Sequence, residues 1–315
     1  MTGRVDPVAA KLLQLSCNGS GTCFRIFTVV SLAHADKLLA SSLLPIPADF
    51  SARGAMNRHL MLFLRLLLFL SLASCVPATK VPIESVYFEH SAAMQRRTLV
   101  VFLPGRGSGA RSFGDEGLVQ GLLQKRRDLD VIGVEAHLGY YQDRTLPLRL
   151  REDIVGPAKK RGYDNIWLVG ISMGGLGAMM YDTTYPEDVT GICVLAPYLG
   201  EGSLLEEIAG AGGLAKWQPG AVLGHDTDRE IWQKLASYAA GNKIAGRVFL
   251  GFGSEDRFAA TNRLFGTLLP AGQVVTAQGG HDWQTWRILW DKLLENAAFL
   301  ETGPHAELRD GTAPK

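Results

Sequence analysis

The sequence has few cysteines, and their arrangement does not suit a metal site or a disulfide framework. Cys17, Cys23, Cys75 and Cys193 are the four cysteines in 315 residues, and no two of them form a C-x-x-C motif. No histidines cluster at the spacing of zinc ligands. The sequence therefore predicts neither a metal nor any other cofactor, and Cys193, inside an apolar run, is interpreted as a small buried hydrophobic residue.

Net charge is almost absent. The 32 Lys and Arg residues balance 31 Asp and Glu residues, which leaves a formal net charge of +1. Such a chain has no long-range field that would favour nucleic acid or an anionic membrane surface. Basic clusters at 125–127 and 159–161 are interpreted as solvated ends of helices, where cations complement the helix dipole. We therefore expect a small-molecule partner, and the composition does not fix an oligomeric state.

The apolar stretch from Leu60 to Ala73 is short for a membrane span. It has about 14 residues and is interrupted by Arg65, whereas a spanning helix needs about 20. A short basic region beginning at Met56 precedes it and small residues end it, which is the layout of a secretory signal. We therefore predict that residues 56–75 direct export.

The end of this signal, Leu72-Ala73-Ser74-Cys75, resembles the lipobox of bacterial lipoproteins. The resemblance implies cleavage before Cys75 and attachment of acyl chains to its sulfur. Two or more such chains anchor a protein stably to a membrane. The expected location is the bacterial cell envelope, with the lipid as the only membrane attachment. The alternative is an ordinary cleavable signal, an incidental Cys75 and a periplasmic product.

Residues 1–55 show no sustained hydrophobic period of either kind. Because a secretory signal belongs at the N-terminus, the economical interpretation is that translation begins at Met56 and that the upstream residues come from a mis-assigned start codon. If they are translated and disordered, Leu60 to Leu72 becomes a signal-anchor instead. The rest of the chain divides into a linker at 76–82, a catalytic domain at 83–300 and a polar tail at 301–315.

Strand-like and helix-like segments alternate through the catalytic domain. This alternation predicts crossover connections and a mainly parallel sheet with helices on both faces, an α/β fold. A helix is expected over Leu148 to Arg161, although Gly156-Pro157 argues against its continuity. The segment 197–246 is long for a crossover and contains a helix predicted from Asp228, with a capping box at Thr227. It is either a cover over a site or a crossover without substrate contact. Strands are predicted at Ser85–Glu89, Thr98–Leu103, Asp130–Glu135, Ile166–Ile171, Thr190–Leu195, Arg247–Gly251 and Gln273–Ala277.

The chain is organised around Asn165 to Tyr181, NIWLVGISMGGLGAMMY. A buried strand is predicted up to Ile171 and a packed helix after Ser172, with Gly170 and Gly174 flanking the serine in a G-x-S-x-G motif. A strand-turn-helix junction of this kind holds a serine on a sharp, strained turn with its oxygen projecting from the carboxyl edge of the sheet. The motif therefore predicts a nucleophilic serine, which needs an adjacent base to take its proton. An ordinary glycine-rich turn is the alternative.

With these residues the sequence resembles an α/β-hydrolase over roughly residues 83 to 300. That family places its acid and its histidine after later strands, in that order. Asp256 in GSEDRF and His281 in GGHDW stand at the corresponding places. The resemblance implies that His281 is the general base and that Asp256 holds its ring, with the adjacent Glu255 as an alternative acid and a helix cap as an alternative role for Asp256. Asp282 is unsuited as the acid, because neighbouring side chains in such a turn point apart.

The same resemblance implies two backbone donors for an oxyanion. They are the N–H of Met173, directly after the nucleophile, and an N–H from the loop Leu103 to Gly107, with Arg106 preferred and Gly107 as the alternative. The loop departs from the His-Gly motif of many relatives at its first position. A solvated Arg106 side chain is expected, and one that meets an anionic substrate is the alternative.

The GGHDWQTW run is similar to the histidine loop of serine esterases related to enterobactin, feruloyl and mycolyl ester enzymes. Trp283 and Trp286 within it are expected to pack the closing helix rather than line a pocket. The sequence thus predicts a serine hydrolase, with carboxylic esters as the expected substrates. The alternatives are a non-catalytic binding protein of the cell envelope and an acyltransferase that uses the same triad.

Overall fold

The computed structural model describes most of the chain from Val76 onwards. The predicted signal, Cys75, residues 1–55 and the tail 301–315 lie outside the described residues. The described ranges are 76–89, 98–200, 202–220, 226–241, 246–296 and 299–300.

Seven strands form one sheet in the order β1-β3-β2-β4-β5-β6-β7. Strands β2 to β7 run parallel to their neighbours, and β1 at the edge runs antiparallel to β3. Every residue of β2 to β6 is buried, because parallel strands are covered on both faces. The strands are β1 (Ser85–Glu89), β2 (Thr98–Leu103), β3 (Leu129–Val134), β4 (Asn165–Ile171), β5 (Gly191–Leu195), β6 (Val248–Gly253) and β7 (Val274–Ala277).

Helices connect the strands. A π-helical turn, Leu150–Val155, joins α4 to α5, and a short 3-10 helix, Ala271–Gln273, precedes β7. Among the described residues no helix is long and apolar enough to cross a membrane. The helices are α1 (Ser112–Asp115), α2 (Leu118–Lys125), α3 (Leu138–Gln142), α4 (Leu146–Arg149), α5 (Gly156–Lys160), α6 (Met173–Thr184), α7 (Gly202–Gly210), α8 (Thr227–Gly241), α9 (Ala259–Gly266) and α10 (Trp283–Leu294).

The hydrophobic core has two layers, one on each face of the sheet. Helices α3 to α9 contribute to the layer that contains Tyr181 and Trp232. Helices α1, α2 and α10 contribute to the other layer, where Phe102, Phe113 and Trp290 pack together. The predicted mainly parallel sheet with helices on both faces is therefore confirmed.

The helix expected over Leu148 to Arg161 is present as α4, the π-helical turn and α5, and it ends at Lys160. The chain stays helical through Gly156-Pro157, because the preceding π-helical turn closes wider rings and gives room beside the carbonyl groups that a proline ring would meet in a regular helix. The predicted cap of α8 was wrong. Thr227 lies inside α8 rather than capping it, and Asp226 accepts the backbone N–H of Arg229 at 3.2 Å. The carboxylate one residue earlier thus satisfies one of the free N–H donors of the first turn.

The segment 197–246 contains α7 and α8. Their apolar side chains, including Ile208 and Leu235, belong to the core layer of α6. Glu207 of α7 binds Arg229 of α8 and accepts from Trp217 Nε1 at 2.9 Å. Core packing is what a crossover requires, and whether the segment also covers a substrate stays a prediction.

Candidate active site

Ser172 lies between β4 and α6 in a conformation that few residues adopt. Its φ is 53° and its ψ is −115°, which is strained for a residue with a Cβ. Both backbone groups of Ser172 bond to the end of β5 and the residues after it, since its N–H donates to the carbonyl oxygen of Leu195 at 2.9 Å and its carbonyl oxygen accepts from the N–H of Tyr198 at 3.1 Å. The strain is therefore maintained by the strand beside it, and it presents the hydroxyl at the carboxyl edge of the sheet.

The glycines around the serine allow backbones to approach closely. A Cβ on Gly170 would collide with the backbone of Gly174, and a Cβ on Gly174 would collide with the carbonyl oxygen of Leu103. Helix α6 therefore crosses directly over the ends of β4 and β2. This crowding is the physical reason for the two glycines in the motif.

His281 forms hydrogen bonds with both other side chains of the predicted triad. Its Nε2 lies 2.9 Å from Ser172 Oγ, and its Nδ1 lies 2.8 Å from Asp256 Oδ2. Because a carboxylate can only accept, the proton of the neutral ring lies on Nδ1 and Nε2 accepts the hydroxyl proton of Ser172. The Asp256 side chain is fully buried and that of His281 is 11% exposed. The three side chains thus form a continuous chain of hydrogen bonds with limited access to water.

Asp256 is the carboxylate at this position, whereas Glu255 is exposed and within hydrogen-bonding distance of Gln278. The second oxygen of Asp256 accepts the backbone N–H of Phe258 at 2.8 Å. Asp282, next to the histidine, caps α10 through the N–H of Thr285, and that hydrogen bond lowers the pKa of Asp282. Of the three carboxylates, Asp256 thus contacts the histidine, Glu255 lies at the surface and Asp282 caps a helix.

The acid and histidine loops are tied together by backbone hydrogen bonds. Glu255 donates its N–H to Gly279 at 3.0 Å, and Ser254 donates to Ala277 at 2.8 Å. The histidine ring itself has aromatic edge contacts on two sides, with Phe258 and Trp286 each 5.0 Å from it between centroids. Trp286 was predicted to pack the closing helix, and it does so while also contacting the imidazole.

The loop after β2 lies against the nucleophile. A Cβ built on Gly105 would lie 3.6 Å from Ser172 Cβ, so the loop backbone is in van der Waals contact with the serine. Met173 is the first residue of α6, where backbone N–H groups have no partner within the helix. The side chain of Arg106 is exposed. The two predicted oxyanion donors therefore belong to segments that both border Ser172.

Glu135 fixes the far side of this loop, a role that was not predicted from the sequence. Its Oε2 accepts the N–H of Ala110 at 2.8 Å, while Ser112 Oγ accepts the N–H of Gly109 at 3.0 Å. Glu135 is the first polar residue after the buried strand β3. Its place at the carboxyl edge was a signal that could have identified it.

The remaining candidate for reactivity, Cys193, has no access to solvent. Cys193 is fully buried in β5, and burial raises the pKa of its thiol. It is thus a small buried hydrophobic residue, as predicted. Within the described ranges no three His, Cys, Asp or Glu side chains are grouped so that they could hold a metal ion.

Comparison with known proteins gives one family match. Residues 100–315 match the model of the alpha/beta hydrolase family. No curated protein matches the chain in sequence.

Several solved structures are similar at low identity. One is S-formylglutathione hydrolase from Staphylococcus aureus, at 13% identity, a TM-score of 0.45 and coverage of 70% of this chain and 98% of that one. Another is monoacylglycerol lipase from Paleococcus ferrophilus, at 17%, 0.44, 68% and 99% respectively. A third is Est1E from Butyrivibrio proteoclasticus, at 16%, 0.45, 68% and 91%.

Proposed function

The chain belongs to the alpha/beta hydrolase family, and on that premise we propose that it is a serine hydrolase that forms an acyl-enzyme at Ser172. One observation carries the proposal. A strained serine, a histidine and a buried carboxylate are linked by hydrogen bonds of 2.9 and 2.8 Å at the carboxyl edge of the sheet. An α/β sheet commonly presents its reactive groups at this edge.

The arrangement supports the following steps. Ser172 Oγ attacks the carbonyl carbon of the substrate while its proton passes to His281 Nε2. Asp256 keeps the ring in the required tautomer and stabilises the imidazolium that forms. The bond to the leaving group breaks as His281 returns the proton to it. Water then attacks the acyl-enzyme with the same base, which releases a carboxylic acid and restores Ser172.

Backbone donors would stabilise the negative oxygen of each tetrahedral intermediate. The N–H of Met173 at the start of α6 also has the positive end of a helix dipole behind it. The N–H of Arg106 is the proposed second donor. Loss of one such donor typically lowers turnover by about 10² to 10³. Carboxylic esters are the proposed substrates, on the likeness of the GGHDW loop to esterases.

A fluorophosphonate probe tests the mechanism, because it reacts with activated serines. We expect labelling at Ser172 alone, located by peptide mass spectrometry. Ser172→Ala should abolish labelling and lower kcat on p-nitrophenyl esters by about 10³-fold or more. Ser237→Ala, at an exposed serine on α8, is the matched control and should change neither. A folded protein that is not labelled, or is labelled elsewhere, would contradict the mechanism.

We also propose that the protein is attached to the bacterial cell envelope by acyl chains on Cys75. The support is the signal-like stretch that ends in Leu72-Ala73-Ser74-Cys75. Intact-mass measurement of the native protein should show an N-terminal Cys75 that carries a diacylglyceryl group. Cys75→Ser should release the protein from membranes. A mature chain without lipid on Cys75 would overturn this attachment and leave the catalytic proposal unaffected.

A further inference from the structure

The first strand, β1, begins at the same edge of the sheet as the one that presents Ser172. Strand β1 is antiparallel to β3, and its first residue, Ser85, pairs with Val134, the last residue of β3. The residues before β1 therefore lie at the carboxyl edge. Strand β3 is separated from β4 by β2 alone, which corresponds to about 10 Å between strand axes.

The linker before β1 is docked on the body rather than extended from it. Lys80 donates its backbone N–H to the Tyr140 hydroxyl, which donates back to the carbonyl oxygen of Lys80, both at 3.0 Å. Directly after the linker, Ile83 donates its N–H at 2.8 Å to the side chain of Asp153, which is 10% exposed. Tyr140 is 1% exposed. A buried side chain thus fixes the middle of the linker to α3.

The docking extends almost to the start of the described chain. Thr79 Oγ1 donates to Asp143 at 3.1 Å. Pro77 lies so close to α3 that a Cβ on Gly139 would collide with its carbonyl oxygen. A single residue, Val76, therefore stands between Cys75 and the first docked residue. Two residues span at most about 7 Å.

Helix α3 is also in contact with the helix that begins after the nucleophile. A Cβ on Gly177 in α6 would lie 2.6 Å from the Tyr141 hydroxyl. The linker thus packs on α3, α3 packs on α6, and Ser172 lies directly before the first residue of α6. Two linker side chains are apolar and exposed, Val76 at 42% and Val81 at 72%.

We propose that the docked linker holds the carboxyl edge of the sheet towards a phospholipid bilayer, so that Ser172 acts on ester groups of molecules that reside in that bilayer. The inference rests on the proposed function and on envelope attachment. It follows from the short reach upstream of Pro77, because any anchor at or before Cys75 brings the membrane to this edge. A lipidated cysteine and a signal-anchor lead to the same orientation.

Orientation is measured independently of activity. The full chain, with Cys17 and Cys23 replaced by serine, is reconstituted in phosphatidylethanolamine and phosphatidylglycerol vesicles that contain acceptor-labelled lipid. A donor dye is placed at Gln142→Cys, at the end of α3, or at Arg127→Cys, before β3. Both positions are exposed, and β3, which lies between them in the chain, is about 20 Å long. Energy transfer to the lipid should be at least about twofold more efficient from position 142, given that length.

A longer tether is the control. An insertion of about 20 Gly and Ser residues between Val76 and Pro77 has an r.m.s. span of about 25 Å and should remove the difference between the two dyes. Equal transfer without the insertion, stronger transfer from position 127, or failure of the protein to float with vesicles would each overturn the proposal.

Activity is the second arm. The insertion should lower hydrolysis of a vesicle-embedded long-chain ester several-fold while a soluble p-nitrophenyl acetate is cleaved at the original rate. Equal effects on both substrates would overturn the inference. A protein that shows the predicted transfer and cleaves neither ester would contradict the proposed function, and with it the substrate half of the inference, while the orientation would stand.

Discussion

The two oxygens of the Asp256 carboxylate have different partners. One accepts the N–H of Phe258 and the other faces His281 Nδ1. Asp256→Asn keeps the size and one acceptor but can turn an NH₂ group towards the ring. The ring would then carry its proton on Nε2, where it cannot accept from Ser172. We expect kcat on a soluble ester to fall by about 10⁴-fold with little change in Tm.

Glu255→Gln is the matched control, since that side chain is adjacent and exposed. It should leave kcat unchanged. If the Glu255 variant lost activity and the Asp256 variant kept it, the acid of the triad would be the other carboxylate.

Glu135 is a positioning residue, because it acts through the loop that borders Ser172. Glu135→Ala removes the acceptor for the N–H of Ala110 and should let the loop relax. We expect kcat to fall by about 10- to 100-fold, with KM little changed. This decrease is no larger than the one caused by removal of a complete oxyanion donor, about 10² to 10³. Glu135→Gln retains an acceptor oxygen and should restore most of the rate.

A transition-state analogue separates this role from a structural one. Affinity for a trifluoromethyl ketone should fall in parallel with kcat/KM in Glu135→Ala, whereas affinity for the corresponding amide should not. A lower Tm with unchanged kcat would show that Glu135 only supports the fold.

At the scale of elements, long apolar runs were predicted well and side-chain docking was not. Strand β4 is a continuous buried run followed by a glycine-rich helix, so its place and the serine after it follow from local pattern. The place of Glu135 at the carboxyl edge follows from the pattern of β3, but its bond to Ala110 joins two loops 25 residues apart, and no local pattern encodes that partner. The same applies to Tyr140, whose partner lies 60 residues earlier. The cap of α8 was predicted one residue too late, because Asp226 and Thr227 are adjacent and both are good N-cap residues.

Helices α7 and α8 are joined by a carboxylate whose pKa is displaced. Hydrogen bonds from Arg229 and then from Trp217 lower the pKa of Glu207 to about 2. A carboxyl group with a depressed pKa stabilises the folded state above its unfolded pKa of about 4.3, and this contribution is lost as pH falls towards 2. We therefore expect the contact between α7 and α8 to loosen between about pH 4.5 and pH 2.

Hydrogen exchange of α7 and α8 across this pH range measures the effect. Glu207→Gln should remove the pH dependence, because its amide does not titrate. Glu206→Gln, at the exposed neighbouring position, should retain it. Exchange in these helices that does not change with pH in the unmodified protein would contradict the role of Glu207.

At the scale of the whole molecule, the C-terminal helix α10 packs against elements from the first part of the domain, α2 and β2. Trp290 of α10 donates its indole N–H to Leu118 of α2 at 2.9 Å and packs against Phe102 of β2. The family match covers residues 100–315, and the domain boundary at residue 300 stays a prediction. Two C-terminal truncations test this boundary, because they show which C-terminal residues the fold requires.

Truncation after Asp282 keeps Ser172, Asp256 and His281 but removes α10, one of the helices that cover one face of the sheet. The loss uncovers the buried side chains of Phe102 and Phe113 and leaves the His281 ring without Trp286. Large apolar side chains each stabilise a fold by about 1.5 to 3 kcal/mol when buried, so losing several exceeds the stability of an ordinary domain. We expect an insoluble or unfolded product that a fluorophosphonate does not label, as seen by circular dichroism and probe labelling. Truncation after Leu300 should keep the Tm and kcat of the full chain, and a labelled, folded product of the shorter truncation would show instead that the triad assembles without α10.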